Sequence, residues 1–457
     1  MSGIDILNIA RDSLLSHQTA INLTGTNIAN VDTPGYSRQR AVFSALVQSV
    51  EIAGIERIYD QFLGVQINEQ ANNLGDSEAK KDALGRIETV FNETAGGGIN
   101  ELLNEFWSAW NDLSANPSGQ AERVTVASVS QSLASLFRSY GDDLLAVQDE
   151  ANTRVSSLVD QVNSYVSDIA DINDRIMQSG GSATNSPDLN SLKDSQENLL
   201  SALAEIVDFH YVTNADDSVS VFLSSGMPLA DGNRHWDLDV VADDQTALYN
   251  VVFEDDPTVV INSSLTKGSL AAFLEIRDTT VAGYLESLNT LAASLVAEVN
   301  TQHRLGYDTN QDLGGDFFFF DVDPEVQEAR YMKVSADIIA DVNKIAASAT
   351  VNGDGGNAVT MSEIKDELTM NSGTSTFSAY YSSLVGQIGQ DVAYVNRSFD
   401  HHTDLMTQLT NKREAISGVS IDEEMMNLIR YQTGYNASAK LFVAAEELTD
   451  TLMSLVG

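Results

Sequence analysis

The chain has 457 residues, 43% of them hydrophobic, a formal net charge of −41 and no cysteine. Its length exceeds what one core usually organises, so two to four domains are expected, and the apolar content excludes a disordered chain. The missing cysteines exclude disulfides, thiolate metal sites and cysteine nucleophiles, and no basic patch of the kind nucleic-acid phosphates require is found. Residues 1–60 carry four Lys/Arg against six Asp/Glu, and residues 401–457 four against eight. The acidity thus belongs to the middle of the chain, as a solvated outer surface or a general adaptation to saline surroundings, while near-neutral ends suit packing among copies. The first fifteen residues lack a basic leader, an apolar run and a small-residue cleavage site, so no secretory signal is expected. No run of about 18 apolar residues occurs, so no membrane insertion is expected either.

Leu7, Ala10, Leu14, His17, Ile21, Thr24 and Ile28 recur at alternating spacings of three and four, the seam of a coiled-coil helix over 4–29. That helix should stop near Asn30. Pro34 disfavours helix at Thr33, and Gly35 supplies a positive φ, so Thr33-Pro34-Gly35-Tyr36 reads as a type II turn. An extended stretch, 36–58, follows. Helical periodicity then runs to about 205, clearest at Val155, Leu158, Val162, Tyr165, Ile169, Ile172 and Ile176, with breaks at Asn116–Gly119 and Ser179–Pro187. From Ile206 to Asn262 the period changes to two, as in Val219, Val221 and Leu223, with a turn at Asp231-Gly232. Helix returns around 285–299 and 388–409.

The last helix carries the second seam: Ile421, Met425, Leu428, Gln432, Tyr435, Ala439 and Phe442, continued by Ala445, Leu448, Leu452 and Leu455. Two such seams predict a subunit that pairs its ends and packs among copies, with Leu14, Ile21 and Ile28 against Leu428, Tyr435 and Phe442. The expected fold is mainly α with an inserted β domain: terminal coiled-coil helices, a long helical-bundle body and a small antiparallel β domain. The expected domains are 1–60 with 415–457, 61–205 with 265–414, and 206–264.

Signs of chemistry are weak. The six histidines are scattered, none in an HExxH or comparable ligand spacing, and no GxSxG elbow, Walker loop or GxGxxG after a strand occurs. Asp308-Thr309-Asn310-Gln311-Asp312 resembles the start of a calcium loop. Leu313 then replaces the required glycine and Phe319 the bidentate glutamate, so a polar connecting loop is the better reading. Asp422, Glu423 and Glu424 suit a helix N-terminus. Phe317–Phe320 reads as a strand buried on both faces, or alternatively as a docking patch. No catalytic residue, metal ligand or cofactor is assigned.

Asn27-Ile28-Ala29-Asn30-Val31-Asp32-Thr33-Pro34-Gly35-Tyr36-Ser37-Arg38-Gln39 closely resembles the N-terminal signature of bacterial flagellar axial proteins, the rod, hook and hook-associated family. The stretch Gly418 to Gln432 resembles the version of the C-terminal signature carried by the hook-associated branch at the hook-filament junction. Phe106-Trp107 through Asn116-Pro117, Asn300–His303 with Gly306-Tyr307-Asp308, and Gly314–Phe318 agree with that branch. The resemblance implies a structural, non-enzymatic subunit outside the cell that joins hook to filament, exported unfolded by the flagellar type III system. The partners it implies are copies of itself in a helical lattice, the hook protein, a second junction protein and an export chaperone on the C-terminal helix. It points to Leu7, Leu14, Ile21, Ile28, Met425, Leu428, Tyr435 and Phe442 as assembly residues and to Asn30, Pro34, Gly35 and Tyr36 as the family turn. The alternatives are another axial component, a hook or distal rod protein, or an acidic secreted calcium-binding protein.

Overall fold

The computed structural model describes residues 3–45, 50–92, 97–179, 186–321, 328–351 and 353–456. Helix α1 (Gly3–Ala29) ends one residue before Asn30. The hairpin of β1 (Gln39–Ala45) and β2 (Val50–Arg57) follows, antiparallel, with Gln39 opposite Arg57 and Ala41 opposite Ile55. Four helices come next: α2 (Gln61–Val90), α3 (Ile99–Ala115), α4 (Gln120–Ser179) and α5 (Pro187–Ile206). Pro117 and Gly119 sit in the gap before α4. Ser186 caps α5 by accepting from the Leu189 amide, and Pro187 occupies the first turn, where a missing N–H costs nothing.

The β insertion holds two antiparallel sheets. Strands β3 (Phe209–Thr213), β4 (Val219–Leu223), β5 (Pro228–Asp231) and β6 (Arg234–His235) pair in sequence order. So do β7 (Leu238–Ala242), β8 (Tyr249–Phe253) and β9 (Asp256–Val260). Val219, Val221 and Leu223 are all buried, as their alternation requires, and Gly232 at φ +58° helps close the β5–β6 hairpin. After the insertion come α6 (Gly268–Glu275), a π-helical turn over Ile276–Thr280, and α7 (Val281–His303). The short elements β10 (Phe318–Phe320), β11 (Met332–Val334), α8 (Ala336–Ala340) and α9 (Gly356–Glu363) precede the long α10 (Phe377–Ser417) and α11 (Ile421–Val456). The fold is mainly α with inserted antiparallel sheets, as the change of period indicates.

The chain forms two compact units. One comprises residues up to Asp76, Ser156–Ala271 and everything from Asp400; the other comprises Ser77–Val155 and Ala272–Phe399. The boundaries fall inside α2, α4, α6 and α10. The second unit is built on a large aromatic core in which Phe106, Trp110, Phe137, Phe317, Phe377 and Tyr381 are fully buried. Phe106 meets Trp107 edge-on at 4.7 Å between centroids, and Trp110 lies 5.4 Å from Phe317.

The phenylalanine run is a short strand whose burial is uneven. Phe317 and Phe318 are completely covered, but Phe319 and Phe320 are half-exposed. Asn300 anchors the run: its Oδ1 accepts from the Phe317 and Phe318 amides at 2.8 and 2.9 Å, and its Nδ2 donates to the Phe318 carbonyl at 2.8 Å. His303, fully buried, makes a 2.7 Å hydrogen bond from Nδ1 to the Gly315 carbonyl and accepts from the Ala346 amide at Nε2. Those two bonds hold it as the neutral Nδ1–H tautomer. The motif shared by Asn300, His303 and Phe317 is thus a packing device. The loop at Asp308 closes on itself, its Oδ1 accepting from the amides of Asn310 and Asp312 at 2.7 and 2.9 Å.

Candidate assembly surface

Helices α1 and α11 pack against each other within one chain. They run antiparallel: Asn27 near the end of α1 meets Glu424 at the start of α11, while His17 lies over Gly434 further along. The buried line of α1 is Ala10, Ser16, Ala20, Leu23, Thr24 and Asn27; that of α11 is Glu424, Tyr431, Ser438 and Ala445, one residue per heptad. Small residues dominate the α1 line and make up half of the α11 line, and a Cβ at Gly434 would come within 2.6 Å of the His17 ring. The close approach of the helices therefore depends on them.

The residues expected from the sequence flank these lines. Leu7, Leu14, Ile21 and Ile28 are half-buried, and Ile21 packs beside Ala20, Leu23 and Tyr431. Leu428, Tyr435 and Phe442 are half-buried, while Met425 is exposed. The side chains of Leu452 and Leu455 lie outside the described residues. A 3.5-residue repeat can be drawn through two adjacent helix faces, and the inner face here carries Tyr431 with small and polar residues.

One polar network ties the pair to the rest of its unit. Asn27 is buried, with all four hydrogen-bonding positions of its amide filled. Its Oδ1 accepts from the Gln39 amide at 3.1 Å and the Tyr36 hydroxyl at 2.8 Å, and its Nδ2 donates to the Gln39 carbonyl and to Glu424. Arg38 bridges Glu424 at 2.8 Å and Glu423 at 2.7 Å, and its amide donates to the Ser417 carbonyl. Burial, with Asp194 and Glu424 nearby, pushes the Tyr36 hydroxyl up to about 12, so it remains a donor at any physiological pH. Removing the Arg38 guanidinium would leave the buried Glu424 carboxylate without its cation, a loss of about 3–5 kcal/mol.

The family turn positions this network. The Tyr36 amide donates to the Thr33 carbonyl at 3.2 Å with Gly35 at φ +76°, the signature of a type II turn. A Cβ at Gly35 would also fall 1.9 Å from the amide oxygen of Asn198, an exposed side chain that can swing aside, so it is the positive φ that requires glycine. Asn30 closes the helix end, its Nδ2 donating to the Thr26 carbonyl and its Oδ1 accepting from the Thr33 hydroxyl. Pro34 is exposed. Asn27, Arg38, Glu424, Tyr431 and the His17–Gly434 contact were not among the expected site residues. A polar pair 397 residues apart in sequence leaves no local period, and only the placement of Asn27 and Glu424 inside apolar helices hints at it.

Outside this seam α11 exposes large apolar side chains. Ile421, Met425, Met426 and Ile429 form a continuous patch at i, i+4 and i+3 spacings, with Met426 64% and Ile429 60% exposed. Leu441, Val443 and Leu448 continue the exposure, and Leu15 is exposed on α1.

Known proteins share this chain's sequence and fold. A family model described as the flagellar hook-associated protein FlgK helical domain matches residues 84–318, and one for the flagellar basal body rod FlgEFG protein C-terminal region matches residues 413–455. Flagellar hook-associated protein 1 of Bacillus subtilis is 30% identical over 99% of this chain and 98% of its own length. The protein of the same name from Escherichia coli is 23% identical over 98% of this chain and 99% of its own. The solved flagellar hook junction protein FlgK of Burkholderia pseudomallei superposes with a TM-score of 0.69 at 17% identity, covering 77% of this chain and all of that one. The chain therefore belongs to the flagellar hook-associated protein 1 family, structural components of the bacterial flagellum.

Proposed function

We propose that the chain is the junction subunit added to the end of the hook, on which a second junction protein and then the filament are built. The observation that supports this most strongly is the split character of α11. One face is closed onto α1 of the same chain through Glu424, Tyr431, Ser438 and Ala445, while Ile421, Met425, Met426 and Ile429 face outward. In this reading Leu7, Leu14, Ile21, Ile28, Leu428, Tyr435 and Phe442, half-buried beside the seam, complete the contact when copies stack head to tail in a non-closing lattice. The rod-type match ends with α11, whereas the hook-associated match spans the helical body, which favours the junction role over a rod or hook subunit.

In this reading the subunit leaves the cell through the flagellar type III pathway, and a chaperone covering the outward apolar face of α11 keeps it from aggregating before assembly. The calcium-binding alternative gains nothing from Asp308, whose carboxylate is engaged by its own loop amides. Deleting the gene and imaging the cells tests the junction role. Hooks without filaments, with flagellin shed into the medium, are expected; cells without hooks would overturn it in favour of a hook or rod role.

A further inference from the structure

With no cysteine in the chain, its ten methionines carry all of its sulfur. The structure sorts them by access to water. Met332, Met361 and Met370 are buried in the aromatic core of the body, and Met177, Met227 and Met406 are half-buried. Met425 and Met426, adjacent in sequence, are the exposed methionines among the described residues, at 45% and 64%. Open sulfur is thus concentrated in one turn of α11, on the outward patch between Ile421 and Ile429.

A thioether in that position has two properties. It is apolar and flexible, which suits an adaptable packing surface, and its sulfur lone pairs are open to an electrophilic oxidant. A hydroperoxide such as hydrogen peroxide transfers one oxygen to the sulfur: the S–O bond forms as the O–O bond breaks, the sulfur loses two electrons, and the peroxide is reduced to water. The product is a sulfoxide, a polar hydrogen-bond acceptor. On the single chain that oxygen is solvated, so the fold bears little cost. Pressed into an apolar contact it must give up its water, and the contact is weakened. Two of the four side chains of the patch change in this way, while the three buried sulfurs of the core stay out of the oxidant's reach.

We propose that Met425 and Met426 form an oxidation-sensitive modification site on the assembly face, where conversion to the sulfoxides by a hydroperoxide blocks incorporation without unfolding the chain. This rests on the proposed packing of copies through the outward face of α11 and adds a chemical control on it. A subunit already in place has the pair covered by its neighbour. The sensitivity therefore belongs to the subunit before it joins.

Limited treatment of the purified chain with hydrogen peroxide, read by peptide mass spectrometry, should place sulfoxide at Met425 and Met426 before Met332, Met361 and Met370, with the melting temperature unchanged. The treated chain is then supplied to cells that lack the gene and counted at hook ends by immunoelectron microscopy. Incorporation should fall about tenfold relative to untreated chain, because two polar oxygens must give up their water in the contact. Methionine sulfoxide reductases for both epimers, with dithiothreitol as reductant, should restore it. Met425→Leu/Met426→Leu, compared with its own untreated sample, should show no loss on peroxide treatment. Met425→Gln/Met426→Gln, polar without any oxidant, should lower the number of filaments per cell. Sulfoxide at both positions with undiminished incorporation, or an equal peroxide-dependent loss in the leucine variant, would overturn the proposal. Binding of the untreated chain to hook ends and the deletion phenotype report separately on the junction role.

Discussion

The helical body and the terminal helix pair use apolar residues in opposite ways. In the body, Phe106, Trp110, Phe137 and Phe317 are drawn into one closed aromatic core. In the terminal pair the inner line is Ala10, Ser16, Ala20, Leu23, Thr24 and Asn27 facing Glu424, Tyr431, Ser438 and Ala445, while Ile421, Met426 and Ile429 look outward. A core that buries its large side chains is complete in one chain. A helix pair that keeps large apolar side chains on its outer face leaves apolar burial to be gained, which on the proposed assembly a neighbouring copy supplies.

The contrast can be broken most severely in the body. Phe106→Ala removes a ring with no exposed surface and should cost about 3–5 kcal/mol, lowering the melting temperature of the soluble chain by roughly 10 °C. A shift under about 2 °C would mean that the aromatic core is not what holds the body. Protonation gives a second route into the same core. Burial lowers His303 to about 4 from an ordinary 6.5, so the unfolded chain takes up its proton first as the pH falls. The stabilisation is complete above pH 6.5 and is lost progressively down to about pH 4, amounting to about 3 kcal/mol. Denaturant melts at pH 7 and pH 4 should show this difference shrinking in His303→Gln; an unchanged difference would assign the acid sensitivity to other groups.

Gly35→Val tests the hinge of the terminal region. A valine at φ +76° costs about 1–3 kcal/mol in backbone strain, and relieving that strain would turn the adjoining Tyr36 away from Asn27. Swimming in soft agar should be lost while the melting of the body changes little. Normal motility would show that the turn does not position the network.

How far the sequence discloses this molecule depends on how local each feature is. The stop of α1 before Asn30, the turn at Pro34-Gly35 and the change of period at the β insertion follow from φ preferences and alternation within a few residues, and the structure has them where those rules put them. Helix faces are less legible. Val155, Val162 and Ile169 are buried as expected, but Val159 and Val166, one position from the expected Leu158 and Tyr165, are buried more deeply than either. The same one-residue ambiguity runs the α11 stripe through Gln432 when the buried residue is Tyr431. Long-range polar partners are least legible, since nothing near Asn27 announces Glu424.

The smallest expected effect on the folded chain carries the largest functional consequence. Ile429 is exposed on the outward face of α11, so Ile429→Asp should shift the melting of the soluble chain by less than about 1 °C while abolishing its incorporation into flagella, scored by immunoelectron microscopy at hook ends. Labelled hook ends and normal filaments in cells carrying Ile429→Asp would contradict assembly through the outward face of the terminal helices.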